Sequence, residues 1–201
     1  MVGVLVVAVV GAGGNLLLNP TSDPTSPDGP HGETTPSVAP AKIDFRLKQV
    51  TSSTIGTPSG TDTAQQKAAT GVQAALAQFY EQAFLIKANW DKGNYAPAWA
   101  SFVPESRQAA TQDENLLTLG KDAPSTFSSV GYDSGDVSVQ VLVDEQSQPK
   151  SVIAAVHFNA TAHEQSGGTM AVRSVGRYFL RPEGDRWEIY GYQIRRKDKQ
   201  Q

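Results

Sequence analysis

The chain has no cysteine among its 201 residues. That excludes a disulfide framework, a zinc–thiolate site and a lipoprotein lipobox. Basic residues are missing from the first forty positions, which hold only Asp23, Asp28 and Glu33 as charges. Within them, MVGVLVVAVVGAGGNLLL (1–18) has no charge at all, and Asn15 is its one polar side chain. The positive-inside rule therefore has nothing to act on near this segment. A surplus of base is also lacking further on. Of the 20 acids and 17 bases, 17 acids and all 17 bases lie in 41–201. A formally neutral folded part argues against nucleic acid as a partner, because phosphate binding needs excess Lys and Arg. The one dense cationic stretch, RRKDKQQ at the C-terminus, reads as a solvated tail.

What is present begins with that apolar run. About 18 apolar residues is near the lower limit for a spanning helix. The next stretch, NPTSDPTSPDGPHGETTPSVAP, contains six of the twelve prolines. Such a tract cannot bury enough surface to fold. The division expected is a transmembrane or signal-anchor segment over 1–18, a Pro/Ser/Thr-rich linker over 19–42, and one folded domain over 43–201. Three readings of 1–18 stay open: an uncleaved anchor, a cleaved signal peptide, and an apolar tail. The anchor reading makes the membrane a partner through residues 1–18. It places the domain outside the cytoplasm, at the cell membrane. A cleaved segment would instead make the protein secreted. GlyAlaGlyGly (11–14) lacks the lysine and the strand–helix setting of a phosphate loop.

Periodicity organises the rest. Ile43, Phe45 and Leu47 alternate and predict an edge strand in 41–56. Val72, Leu76, Phe79, Ala83, Ile86 and Trp90 recur every three or four residues, predicting one long helix from Thr63 to Trp90. Asn94 onward predicts a second helix with Pro97 in its first turn, and Pro104 opens a further helical piece. Then come VSVQVLV (137–143), SVIAAVHFNATA (151–162), TMAVRSVGRYFLR (169–181) and RWEIYGYQIRR (186–196). Their connections are short and turn-like, so the four predict a consecutive antiparallel meander. Gly176 and Gly191, inside strands, predict bulges or strong bending.

Helices first and a meander last define an α+β domain: N-terminal helices on a curved four- to five-stranded antiparallel sheet. FYEQAFLIKANWDKGNYAPAWASF, VSVQVLV and GRYFLRPEGDRWEIYGYQI, set in that order, resemble the nuclear transport factor two-like superfamily, the cystatin-like cone of SnoaL-type proteins. The layout is similar to that of actinobacterial proteins with one membrane anchor and such a domain, Mce-associated membrane proteins among them. The resemblance covers residues 64–196 and implies architecture. It implies no activity, because the fold hosts many.

Enzymatic members of that superfamily are implied to use a carboxylate base and an acidic hydrogen-bond donor inside the cone. Here Asp133, Asp136 and Asp144 are expected at strand ends or turns. Glu188 is the one carboxylate expected within a strand, as a surface group paired near Arg186. No catalytic residue and no cofactor is assigned. His31, His157 and His163 do not form a metal cluster, so no metal is assigned either. His157 should share a strand face with Asn159, Thr161 and His163. Tyr80, Trp99, His157 and Tyr178 are candidate walls of a cavity for an apolar ligand. Arg173 and Arg177, four apart on one strand, share a face, where they could clamp an anionic ligand; cross-strand carboxylates are the plainer partners.

The leading functional expectation is a non-enzymatic interaction module of the cell envelope. Its surface would be the open sheet face around Arg173, Arg177, Tyr190 and Tyr192. A homodimer is the simplest version, and another envelope protein the alternative partner. The other class is a small-molecule or lipid binder, or an isomerase or dehydratase, using the cone cavity.

Overall fold

The computed structural model describes residues 42–54 and 63–201. The apolar segment 1–18 and nearly all of the linker lie outside the described residues. No helix among the described residues is long and apolar enough to cross a membrane.

The architecture is α+β, with helices preceding most of a mixed sheet. Strand β1 (Arg46–Thr54) is followed by helix α1 (Thr63–Tyr80) and a π-helical turn (Glu81–Leu85). Short helices follow: α2 (Lys87–Trp90), α3 (Ala96–Trp99), α4 (Arg107–Gln112), α5 (Glu114–Leu117) and α6 (Ala123–Thr126). Four long strands complete the layer: β2 (Phe127–Val143), β3 (Pro149–Glu164), β4 (Thr169–Glu183) and β5 (Arg186–Arg196). The two-residue β6 (Lys199–Gln200) pairs β4 beyond the end of β5.

The sheet order is β1-β2-β3-β4-β5. The antiparallel meander β2 to β5 is as expected. The edge strand β1 joins it parallel to β2, so the sheet is mixed and six-stranded, not wholly antiparallel. The helices lie between β1 and β2 in the chain, and a crossover through a helical layer permits parallel pairing.

The long helix is interrupted. The Ile86 N–H bonds the Glu81 carbonyl at 2.9 Å, five residues back, and Ile86 itself is extended at ψ 98°. An inserted residue rotates the helical face. Ala83, Phe84 and Leu85 are therefore all buried in succession, while Ile86 is only half-buried. β2 also starts ten residues earlier than its valine pattern suggested. FSSVGYDSGD is polar and glycine-bearing, yet it pairs with β3 from Phe127 onward. Asp133 and Asp136 consequently lie within a strand rather than at its end.

Both sequence-marked strand glycines have a structural reason. Two residues, Tyr190 and Gly191, oppose Phe179 alone where the β4–β5 register shifts. Gly176 forms no bulge. A Cβ there would sit 2.0 Å from the Gln193 carbonyl oxygen, so only glycine admits this approach of β5.

The helices pack on one face of the sheet. Val137, Val139, Val141, Val152, Ala154, Val156, Phe158, Val172, Tyr178 and Leu180 point into this layer, all at most 2% exposed. The strict alternation of β3 produces that face directly.

Candidate functional site: the second face of the sheet

The interior between helices and sheet is where the superfamily resemblance implies a ligand cavity. It is occupied by the chain's own rings. Tyr80 stacks on Phe158 at 4.6 Å and on Phe84 at 5.5 Å between centroids. Phe79 meets Tyr178 edge-on at 5.7 Å and Phe102 at 5.4 Å, and Phe102 meets Trp99 at 6.0 Å. Each such pair adds about 0.5–1.5 kcal/mol beyond burial. Tyr80, Trp99 and Tyr178 are thus brought together, as core.

Hydroxyls inside this cluster satisfy one another. Tyr178 donates to the Tyr80 oxygen at 3.2 Å, and the Tyr80 and Ser174 hydroxyls lie 3.0 Å apart. Burial pushes both phenols above their ordinary range, so both stay neutral at physiological pH. Tyr95 donates to the Gly120 carbonyl at 3.0 Å, and burial raises it to about 12. No group of three or more candidate ligands for a metal ion occurs among the described residues.

His157 does not join the other cavity candidates. It is exposed on the opposite face of β3, with Asn159, Thr161 and His163 in line as expected. The period of two separates it from the buried Val156 and Phe158 on either side. Glu188 departs from expectation in a different way. It bonds Arg186 at 2.9 Å, but it is buried rather than a surface group. The turn Pro104–Ser106 reaches the neighbouring residues, through Glu105 to Arg181 at 2.8 Å and Ser106 to the Tyr190 carbonyl at 2.8 Å.

The second face of the sheet has a composition of its own. Across β3, β4 and β5, Ile153 pairs Phe179, and Phe179 opposes Tyr190 and Gly191. Ile153 and Phe179 are half-buried, and the Tyr190 ring lies 6.2 Å from that of Phe179. Tyr190 is the exposed large hydrophobic residue of the described chain, at 38%. One step along, Ala155 pairs Arg177, and Arg177 pairs Gln193. The next step pairs His157 with Val175, and Val175 with Arg195. Asn159 pairs Arg173 beyond that. An open depression of about 240 Å³ lies beside Arg177, among Gln49, Thr51, Ser138, Gln140 and Ala155.

Three arginines on this face have unpaired side chains. The side chains of Arg173, Arg177 and Arg195 have no hydrogen-bond or ion-pair partner among the described residues. The expected cross-strand carboxylates are absent, since Asn159, Ala155, Gln193 and Val175 stand opposite them. Nearby acids already have partners. Asp136 is 2.8 Å from Arg46 and 3.6 Å from Lys48, Asp198 bonds Arg196 and accepts from the Arg173 backbone N–H at 3.2 Å, and Asp133 accepts from the Thr161 hydroxyl at 2.8 Å. Hydrogen bonding to Arg46 holds the Asp136 carboxyl below its usual range.

Tyr192 does not belong with Tyr190. The bulge at Tyr190 and Gly191 reverses the alternation, so Tyr192 points among the helices. It packs edge-on to Phe102 at 5.9 Å and donates to Asp113 at 2.7 Å. Of the four expected interface residues, Arg173, Arg177 and Tyr190 share the second face and Tyr192 does not. Sequence reasoning passed over Phe179, Val175, Arg195 and Ile153. The odd-numbered alternation from Arg173 to Phe179 could have found two of them.

Comparison with family models, curated proteins and solved structures found no match for this chain.

Proposed function

We propose that this protein is a non-enzymatic interaction module, tethered to a membrane by residues 1–18 and acting outside the cytoplasm through the second face of its sheet. The observation that carries the reading is the Ile153–Phe179–Tyr190 row beside unpaired Arg177. Aromatic and arginine side chains around an apolar centre are the composition that dominates interface energy. The packed ring cluster around Tyr80 and Phe158 supports a binding surface over an internal ligand cavity. The same packing is compatible with a cone of the nuclear transport factor two-like kind whose interior has become core.

A photo-crosslinking residue placed at Gln193, exposed on this face, tests the reading in the full chain. A control is placed at Lys92, exposed in the turn after α2. Membranes of the producing cell should yield a discrete adduct from position 193, none from 92, and a weaker one when Phe179→Ala is added. Equal labelling from both positions, or no adduct, would overturn it.

A further inference from the structure

We infer that the partner presents an acidic, extended protein segment to this face, an inference that rests on the proposed interaction surface. Arg173 and Arg177 stand about 13 Å apart along β4, at ~3.3 Å per residue. Arg195 lies between them one strand over, beside Val175. The three guanidiniums thus surround one half-buried valine, with His157 on its other side. An unpaired guanidinium keeps its full set of donors for a carboxylate or phosphate fork.

Three alternatives fit less well. A second copy docking with its two-fold axis through this cluster would oppose arginine to arginine. The acids nearest the three arginines are already engaged, Asp136 with Arg46, Asp198 with Arg196 and Asp133 with the Thr161 hydroxyl. A phosphate polymer would match the charge but leave the Ile153–Phe179–Tyr190 row uncovered. A lipid headgroup layer would meet the long arginines first and hold the shorter, half-buried Ile153 and Phe179 away from the acyl region. An extended peptide answers both features. Carboxylates on alternate residues recur every ~6.6–7 Å and can reach successive arginines, while apolar residues of the same segment lie along the row.

The Gln193 crosslinker also serves here, with the adduct read by peptide mass spectrometry. The expected adduct is a segment of another protein with at least two Asp or Glu near the labelled residue. Poly-L-glutamate should suppress it and poly-L-lysine should not. Arg177→Glu should lower the yield at least tenfold, and Arg173→Glu/Arg195→Glu together likewise, with thermal midpoints within a few degrees of the parent. Those midpoints hold because none of the three side chains has an internal partner to lose. A neutral or basic segment, a lipid adduct, or a second copy of this chain would overturn the acidic partner while leaving the face as the binding surface. An adduct lost with Phe179→Ala but indifferent to all three arginines would do the same. No adduct from position 193 would remove the surface and this inference together.

Discussion

Gly176→Ala tests the tightest packing in the molecule. The added Cβ would lie 2.0 Å from the Gln193 oxygen and 2.8 Å from the Ile194 Cα. Both neighbours are backbone, so no side chain can swing aside. Relief requires β4 and β5 to separate locally by more than about 1 Å. That stretches N–H···O contacts from ~2.9 Å to near 4 Å, beyond a useful bond. Two such bonds at ~1 kcal/mol each are lost. Overpacking of the surroundings adds ~1–3 kcal/mol. The lower entropy of the unfolded alanine chain returns ~0.4–1 kcal/mol. The net expectation is a destabilisation of about 2–4.5 kcal/mol. Urea unfolding of the full-length chain in neutral detergent, followed by tryptophan fluorescence, gives the measurement. Gly131→Ala is the control, since a Cβ there meets nothing within 4 Å, and it should stay within ~0.5 kcal/mol of the parent. If the two variants behave alike, the close approach of β5 to Gly176 is wrong.

Three further outcomes follow from the core. Tyr80→Phe should cost more than Tyr178→Phe, about 2 against 1 kcal/mol, because it strips partners from both Ser174 and Tyr178, whereas Tyr178→Phe removes a single bond; the reverse order in chemical unfolding would contradict the network. Trp90→Ala should cost about 3 kcal/mol, the low end for a buried aromatic, since its indole N–H lacks a partner in the folded state and removing it relieves that cost; a near-neutral effect would place Trp90 at the surface. Stability should fall on raising the pH above 10. Tyr95, Tyr80 and Tyr178 are all raised in the folded state, so their contribution is full below the unfolded value and is lost as pH rises, for Tyr95 toward about 12. Urea midpoints at pH 9 and pH 11, with Tyr95→Phe losing less between them, check the sign.

Much of this arrangement was legible in the one-dimensional pattern. The valines of 137–143 and the alternation of 151–162 named the meander and its buried face, because a period of two is a local property of extended chain. The same alternation placed Arg173 and Arg177 together and put His157 with Asn159, Thr161 and His163. The helical stripe named Val72, Leu76, Phe79 and Trp90 as core correctly.

Tertiary structure decided what depends on a partner strand or an inserted residue. The parallel pairing of β1 with β2 is a contact between segments some ninety positions apart, which no local period encodes. The polar opening of β2 becomes strand because β3 supplies its hydrogen bonds, not because its residues favour it. A one-residue register shift opposite Phe179 sends Tyr190 and Tyr192 to opposite faces, where simple alternation unites them. The π-helical turn likewise moves Ile86 off the stripe. Whether an arginine is paired also depends on the residue that register sets opposite it. Composition showed a neutral domain. The strand pairings left the side chains of three arginines on its second face without an ion-pair partner among the described residues.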